Sequence, residues 1–272
     1  MSRYLVFVAV SLSLLLSAIS GTAIAVAFPV ITSSFDASLV LAGWVLSIYQ
    51  LVSTAAMPLA GKASDVFGKK FTFIISLLFF TIGSVLCAIA PNIQLLILFR
   101  FIQGIGGGGF LPTAAGIVAE TFPRSRQQLI GLFTSIFPIG QIIGPNIGGW
   151  LVTAYGWRSV FWFNVPLGII TLIVSAVLIK SGKREEGHID LKGTGLFTGS
   201  LFSFLAGLSF IGNTSTGVSW PLSALLLAVG IALMIAFIRH VNRAENPIID
   251  REVLRGKPFM AANIYNFICL SC

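Results

Sequence analysis

Charge is what this 272-residue sequence has least of: 10% of its residues are charged, against about a quarter in a soluble domain. Acids are scarcest, with nine in all, and there are two histidines and three cysteines. So short a supply leaves no His/Cys/Asp cluster to hold a metal and no nucleophile constellation, which argues against an enzyme and against a metal site. Cys269 and Cys272 form a C-x-x-C pair, but they lie inside an incipient apolar helix without a supporting histidine. They read as helix packing, as does mid-span Cys87. The net charge of +8 does not imply nucleic acid, because the basic residues fall in short clusters between apolar runs and not along one polar face.

Apolar residues are abundant, at 56% of the chain, and mean hydropathy is +0.96. The runs reach about 20 residues or more, long enough to cross a hydrocarbon core as helices, and lipid leaves backbone groups no partner but their own chain. The sequence therefore reads as an all-α integral membrane protein with eight complete spans: Tyr4–Ile31, Leu39–Ala60, Phe71–Ala90, Ile93–Ala119, Leu129–Ala154, Val160–Ile179, Thr194–Gly212 and Pro221–Ile238. A ninth begins near Pro258 and is interrupted at Cys272, so the chain is expected to be the front portion of a longer protein. The first span exceeds the about 7–15 apolar residues of a signal peptide and is expected to be retained. Of the 17 Lys and Arg, all but Arg158 and Arg100 fall in segments on the side of the amino terminus, which places that terminus in the cytoplasm. Trp44, Trp150, Trp157, Trp162 and Trp220 all fall at the other boundary, an independent agreement. Asn213-Thr214-Ser215 matches a glycosylation sequon, but reads as a plain polar loop.

Glycine and buried charge mark three places. Gly61 to Lys70 is expected to be a basic loop between spans two and three. Its glycines Gly61 and Gly68 would allow a reversal, Asp65 would accept from a helix N-terminus, and Lys69 and Lys70 would lie near headgroups and helix C-terminal carbonyls. In span four, Arg100 lies seven residues past the first residue, about 10 Å along the axis, and Gln103 extends its polar stripe. An intramembrane arginine is a functional hypothesis by default, with snorkelling to the interface as the alternative. The following Gly106–Gly109 run suits close packing against another span. In span five, Gly140, Gly144 and Gly148 recur every four residues as a flat seam, with Gly149 beside it, and Pro145 removes a backbone bond where the helix could bend.

On these residues the chain resembles the major facilitator superfamily. G-x-x-x-D-x-x-G-K-K between spans two and three is similar to that family's signature loop, and the resemblance implies that Asp65 is a gate latch docking on the opposite half. R-x-x-Q-G-x-G in span four is similar to the motif whose arginine is assigned to proton movement, which implies coupling roles for Arg100 and Gln103. G-x-x-x-G-P-x-x-G-G in span five resembles the motif of drug-exporting antiporters. The stretch Trp157–Gly168 and the short link after span six resemble the fourteen-span drug:proton antiporter branch. The resemblance implies two bundles rocking about a midplane cavity in a plasma-membrane protein, monomeric, driven by an ion gradient (H+) with no bound cofactor. It implies residues 1–182 as a six-helix bundle, 183–240 as a linker and central hairpin, and 241–272 as an inner loop opening a second bundle.

One departure stands out. Where the branch often has L-D-x-T-x-x-N-x-A-x-P in span one, this chain has Ser20 at the acid's place and Ala25 at the asparagine's. No Asp, Glu or His falls inside the eight spans. The expected substrate is a small amphipathic organic compound, and the cavity residues expected in this half are Ser20, Thr22, Tyr49, Gln50, Arg100, Gln103, Gln141 and Asn146; such polar groups can also simply tie helices together. The alternatives are a uniporter or metabolite symporter of the same superfamily, and a sensor or scaffold that does not transport.

Overall fold

A computed structural model describes residues 2–179, 190–211 and 219–242, and among these every regular element is helical. The order is α1 (Ser2–Ser34), α2 (Leu39–Phe67), α3 (Lys69–Ala88), α4 (Ile93–Thr121), a 3-10 turn (Pro123–Ser125), α5 (Arg126–Tyr155), α6 (Arg158–Leu178), α7 (Leu191–Ile211) and α8 (Ser219–Val241). Seven of these, all but α7, are long and apolar enough to cross a membrane. The 21-residue α7 occupies the place of the seventh expected span. The linker residues 183–189, the sequon and its loop at 213–218, and the ninth span lie outside the described residues.

Short-range chemistry starts and stops the helices. Ser38 caps α2 by accepting from the Leu41 N–H at 3.3 Å, and Asn92 caps α4 by accepting from the Leu95 N–H at 2.9 Å. The α1–α2 turn places Asp36 at φ 46°, a left-handed conformation that a short polar side chain tolerates. Proline does not break the spans: α5 continues through both Pro138 and Pro145, since packed neighbours re-satisfy the freed carbonyls.

The expected loop at Gly61–Lys70 is corrected. α2 runs on to Phe67, so Gly61 and Asp65 belong to its last turns, and the whole reversal falls on Gly68, at φ 96°. A polar sequence free of proline after Pro58 extends the helix beyond the apolar run, and only Gly68 adopts the positive φ without strain.

Packing divides the six-helix bundle into two lines. α4 lies against both α2 and α3, α1 lies against α5 and α6, and α3 closes on α6. The glycines of α4 make its contact possible: a Cβ on Gly106 would strike the Phe80 backbone, and one on Gly108 would strike Ser53 of α2. The α5 seam works the same way, since a Cβ on Gly140 would come within 2.6 Å of Ala18 Cβ, and one on Gly148 within 2.7 Å of Ala23 Cα, both on α1. Gly144 meets Thr22, and Gly149 has only Val26 nearby. Two apolar cores result. One, on the face bearing the α1–α2 and α3–α4 turns, includes Ile31, Ala42, Leu96, Trp157 and Phe161; the other, toward the amino terminus, includes Val10, Phe73, Phe110 and Phe133. Large apolar side chains such as Ile142 and Val177 stay exposed around the bundle, as a lipid-facing surface requires. The α7–α8 pair packs on α2 through α7.

Candidate functional site

Between the two cores lies a polar centre built on α4. Arg100 and Gln103, one turn apart, are both fully buried, and Arg100 does not snorkel. The Arg100 Nε donates to the Val45 carbonyl of α2 at 3.1 Å. Its Nη1 donates to Gln103 Oε1 at 2.7 Å and to Ser20 Oγ of α1 at 3.4 Å. Gln103 Nε2 then donates to Ser84 Oγ of α3 at 2.8 Å and to Ser20 Oγ at 3.3 Å. The guanidinium lies over the Tyr49 ring, 4.2 Å from its centroid, with Phe161 at 5.8 Å. Tyr49 in turn shares a 2.8 Å hydrogen bond with Ser17 Oγ, and a Cβ on Gly107 would strike its hydroxyl.

Four helices thus meet on one cation. Ring faces, carbonyl and hydroxyl oxygens stabilise the charge, and Nη2 is buried with no hydrogen-bond partner. No carboxylate takes part in these bonds. Ser20 supplies a hydroxyl at the point where the resembling exporters often carry an acid.

The residues expected to line a cavity fall in different environments. Ser20 and Tyr49 are in the packed interior together with Arg100 and Gln103, where the glycines of α4 bring it close to α2 and α3. Thr22 is half-buried, bonded back to the Ala18 carbonyl at 3.0 Å and seated against Gly144. Gln141 and Asn146 are exposed on α5, with Asn146 Nδ2 donating to the Ile142 carbonyl at 3.2 Å. Gln50 is exposed and lines an open cleft. That cleft, about 430 Å³, is lined by Gly21 and Ala25 of α1, by Leu46, Ser47, Gln50, Leu51 and Thr54 of α2, and by Leu205 of α7. Ser47 and Thr54 were missed by sequence reasoning, yet their spacing from Gln50 places all three on one helical face.

At the amino-terminal face Lys69 Nζ pairs with Glu120 Oε1 at 2.6 Å, and Lys70 Nζ donates to the Ala176 carbonyl in the last turn of α6 at 2.7 Å. Lys70 therefore meets the helix C-terminal carbonyl that its position implied, whereas Lys69 meets a carboxylate. Asp65 is half-buried on the last turns of α2. Asp36 and Glu120 are exposed. Asp190 caps α7, accepting from the Gly193 N–H at 2.8 Å, and both its oxygens meet His240 Nε2 at 2.9 and 3.0 Å. Burial raises the affinity of this carboxyl for its proton, but the Gly193 and His240 bonds outweigh burial and hold it below the ordinary carboxylate range.

Comparison with known proteins places this geometry. A family profile described as Major Facilitator Superfamily matches residues 10–271. The chain is 32% identical over 268 residues to the multidrug transporter protein MdtP of Bacillus subtilis, covering 97% of this chain and 49% of that protein. It is 34% identical over 247 residues to the multidrug resistance protein B homolog of Mycobacterium tuberculosis, covering 89% and 45%. The chain thus spans about half the length of these curated relatives. Among solved structures, the proton:xylose symporter XylE superposes with a TM-score of 0.60 at 14% identity, over 93% of this chain and 56% of that one. The POT family transporter PepTSo gives 0.58 at 16% identity, over 88% and 52%. At such identities these two show a shared fold.

Proposed function

Because the chain belongs to the major facilitator superfamily, a family of transporters, we propose that the full-length protein exports small amphipathic organic compounds by alternating access, coupled to proton entry. The observation that carries this reading is a cleft with no charged lining residue beside a buried cation. The cleft offers apolar walls and three neutral hydrogen-bonding side chains to a substrate, and Arg100 supplies a fixed positive charge one layer away. Two relatives of this half carry multidrug names, which supports export over uptake. The basic residues clustered on the amino-terminal side support a plasma-membrane protein with that terminus in the cytoplasm. The α5–α1 seam of glycines supports a sliding contact during rocking, with Pro145 as the point of bending, and Asp65 at the end of α2 as a latch.

A proton needs a carrier. Ser20 does not titrate near neutral pH, so the carrier is another group, and the buried charge of Arg100 is the feature of this half that supports coupling. The same hydroxyl favours one second reading, uncoupled facilitated transport. Expression of the full-length gene in an exporter-deficient bacterium, with dye efflux followed before and after an uncoupler, separates the two. Faster efflux that the uncoupler abolishes is expected. Unchanged efflux on expression would overturn the exporter reading, and efflux indifferent to uncoupler would overturn proton coupling.

A further inference from the structure

The cleft has a wall that the six-helix bundle does not supply. α7 packs on α2, where Leu205 lines the cleft with Gln50, Ser47 and Thr54, and nearer the end of α7 Phe210 meets Trp44 of α2 in a tilted contact with ring centroids 5.1 Å apart. The hairpin that carries Leu205 is itself tightly built. A Cβ on Gly207 would come within 2.9 Å of Leu227, and one on Gly230 within 2.9 Å of the Phe204 backbone. Phe197 and Phe237 stack at 4.9 Å, and Asp190 and His240 close one end. With α7 locked to α8 along its length, Leu205 cannot retreat independently of the pair.

Resting on the exporter reading above, we propose that the α7–α8 hairpin is a wall of the substrate cleft and that Leu205 sets the size of the compound admitted. The lining defines the ligand class. Three neutral hydrogen-bonding side chains on α2 oppose Gly21, Ala25 and Leu205, so the cleft takes an uncharged, flat amphipathic compound whose polar edge lies on α2 and whose apolar face lies on Leu205. A charged compound would lose its hydration there and gain no partner. Gly21 and Ala25 leave the floor small, so the bulk at position 205 decides the free width.

The test uses the full-length protein in membrane vesicles and has two arms. In a background with every cysteine of the full-length protein replaced by Ser, Cys87, Cys269 and Cys272 included, the pair Thr54→Cys and Leu205→Cys is treated with a short bifunctional thiol reagent. A cross-link is expected, while Thr54→Cys with Leu208→Cys, exposed on α7, should give none. In the second arm Leu205→Trp should lower transport of a bulky neutral dye about tenfold relative to a small neutral one, Leu205→Ala should shift the ratio the other way, and Leu205→Met should keep it. Leu208→Trp, an equal change outside the cleft, should leave the ratio unmoved. Absence of the Thr54–Leu205 cross-link, or an unchanged ratio in Leu205→Trp, overturns the proposal. If Gln50→Ala shifts the ratio and Leu205→Trp does not, the cleft stands and the wall fails; if wild type transports neither dye, the exporter reading fails while the cross-link still reports on the wall.

Discussion

Replacing Arg100 by Met should uncouple transport while leaving the bundle folded. Met nearly matches the aliphatic stem of Arg and removes the charge, the two donations that cross between helices and the contact with the Tyr49 ring. Interhelical hydrogen bonds in membranes contribute about 0.6 kcal/mol each, and a desolvated cation over an aromatic face about 2 kcal/mol. The loss is therefore about 3 kcal/mol, within the reach of a bundle still closed by its glycine seams. Cys87 supplies the assay, because its thiol is fully buried near this layer and becomes reactive only on unfolding. With every cysteine but Cys87 replaced by Ser, a thiol-reactive dye followed on heating reads the stability of the parent protein and Arg100→Met directly. A Tm lowered by several degrees, with efflux reduced to the host background, is expected. Failure of Arg100→Met to fold at all would make Arg100 a structural keystone, and uncoupler-sensitive efflux at the wild-type rate would show that the buried cation has no part in coupling.

Tyr49→Phe keeps the ring over Arg100 and loses the 2.8 Å bond to Ser17 Oγ and the long 3.5 Å donation to the Ser17 carbonyl, so it should cost about 0.6–1.2 kcal/mol by the same dye assay and leave coupling intact. Gly106→Ala should cost about 1–3 kcal/mol, since its Cβ meets Phe80 and Ser76 backbone atoms that cannot turn aside, whereas Gly43→Ala, with nothing within 4 Å, should be neutral or stabilising. Asp190 gives a pH dependence: its carboxyl is held below the ordinary range, so its contribution to hairpin stability is complete above about pH 4 and is lost as pH falls through the folded value. Thermal scans between pH 3 and pH 7 should therefore show a steeper acid loss in wild type than in Asp190→Asn.

The spans were legible because lipid imposes one rule on every segment, and apolar length alone finds a helix such as α3. Helix ends were less legible. The sequence weighted Gly61 and Gly68 equally, but only the backbone shows that Gly68 carries the positive φ and that Gly61 sits in a helix against Pro112. Arg100 and Gln103 were found because two polar residues one turn apart in an apolar run have no innocent place. Their partners were not: the Val45 carbonyl has no sequence signature, and Ser84 looks like any small residue of a membrane helix. Ser20 was located by alignment with a motif and assigned to a cavity, yet its hydroxyl is held between Arg100 and Gln103. The wall at Leu205 was illegible, because the docking of one helical hairpin on another bundle depends on surface shape and not on periodicity.

In the proposed function substrate and protons move against each other through a bundle organised on Arg100. The direct measurement is made on the full-length protein in proteoliposomes, where a neutral dye and internal pH are followed together after a pH gradient is imposed. Dye movement opposite to the proton flow is expected, with matching proton flux that vanishes in Arg100→Met. Dye movement without proton flux, or coupled flux that survives in Arg100→Met, would contradict it.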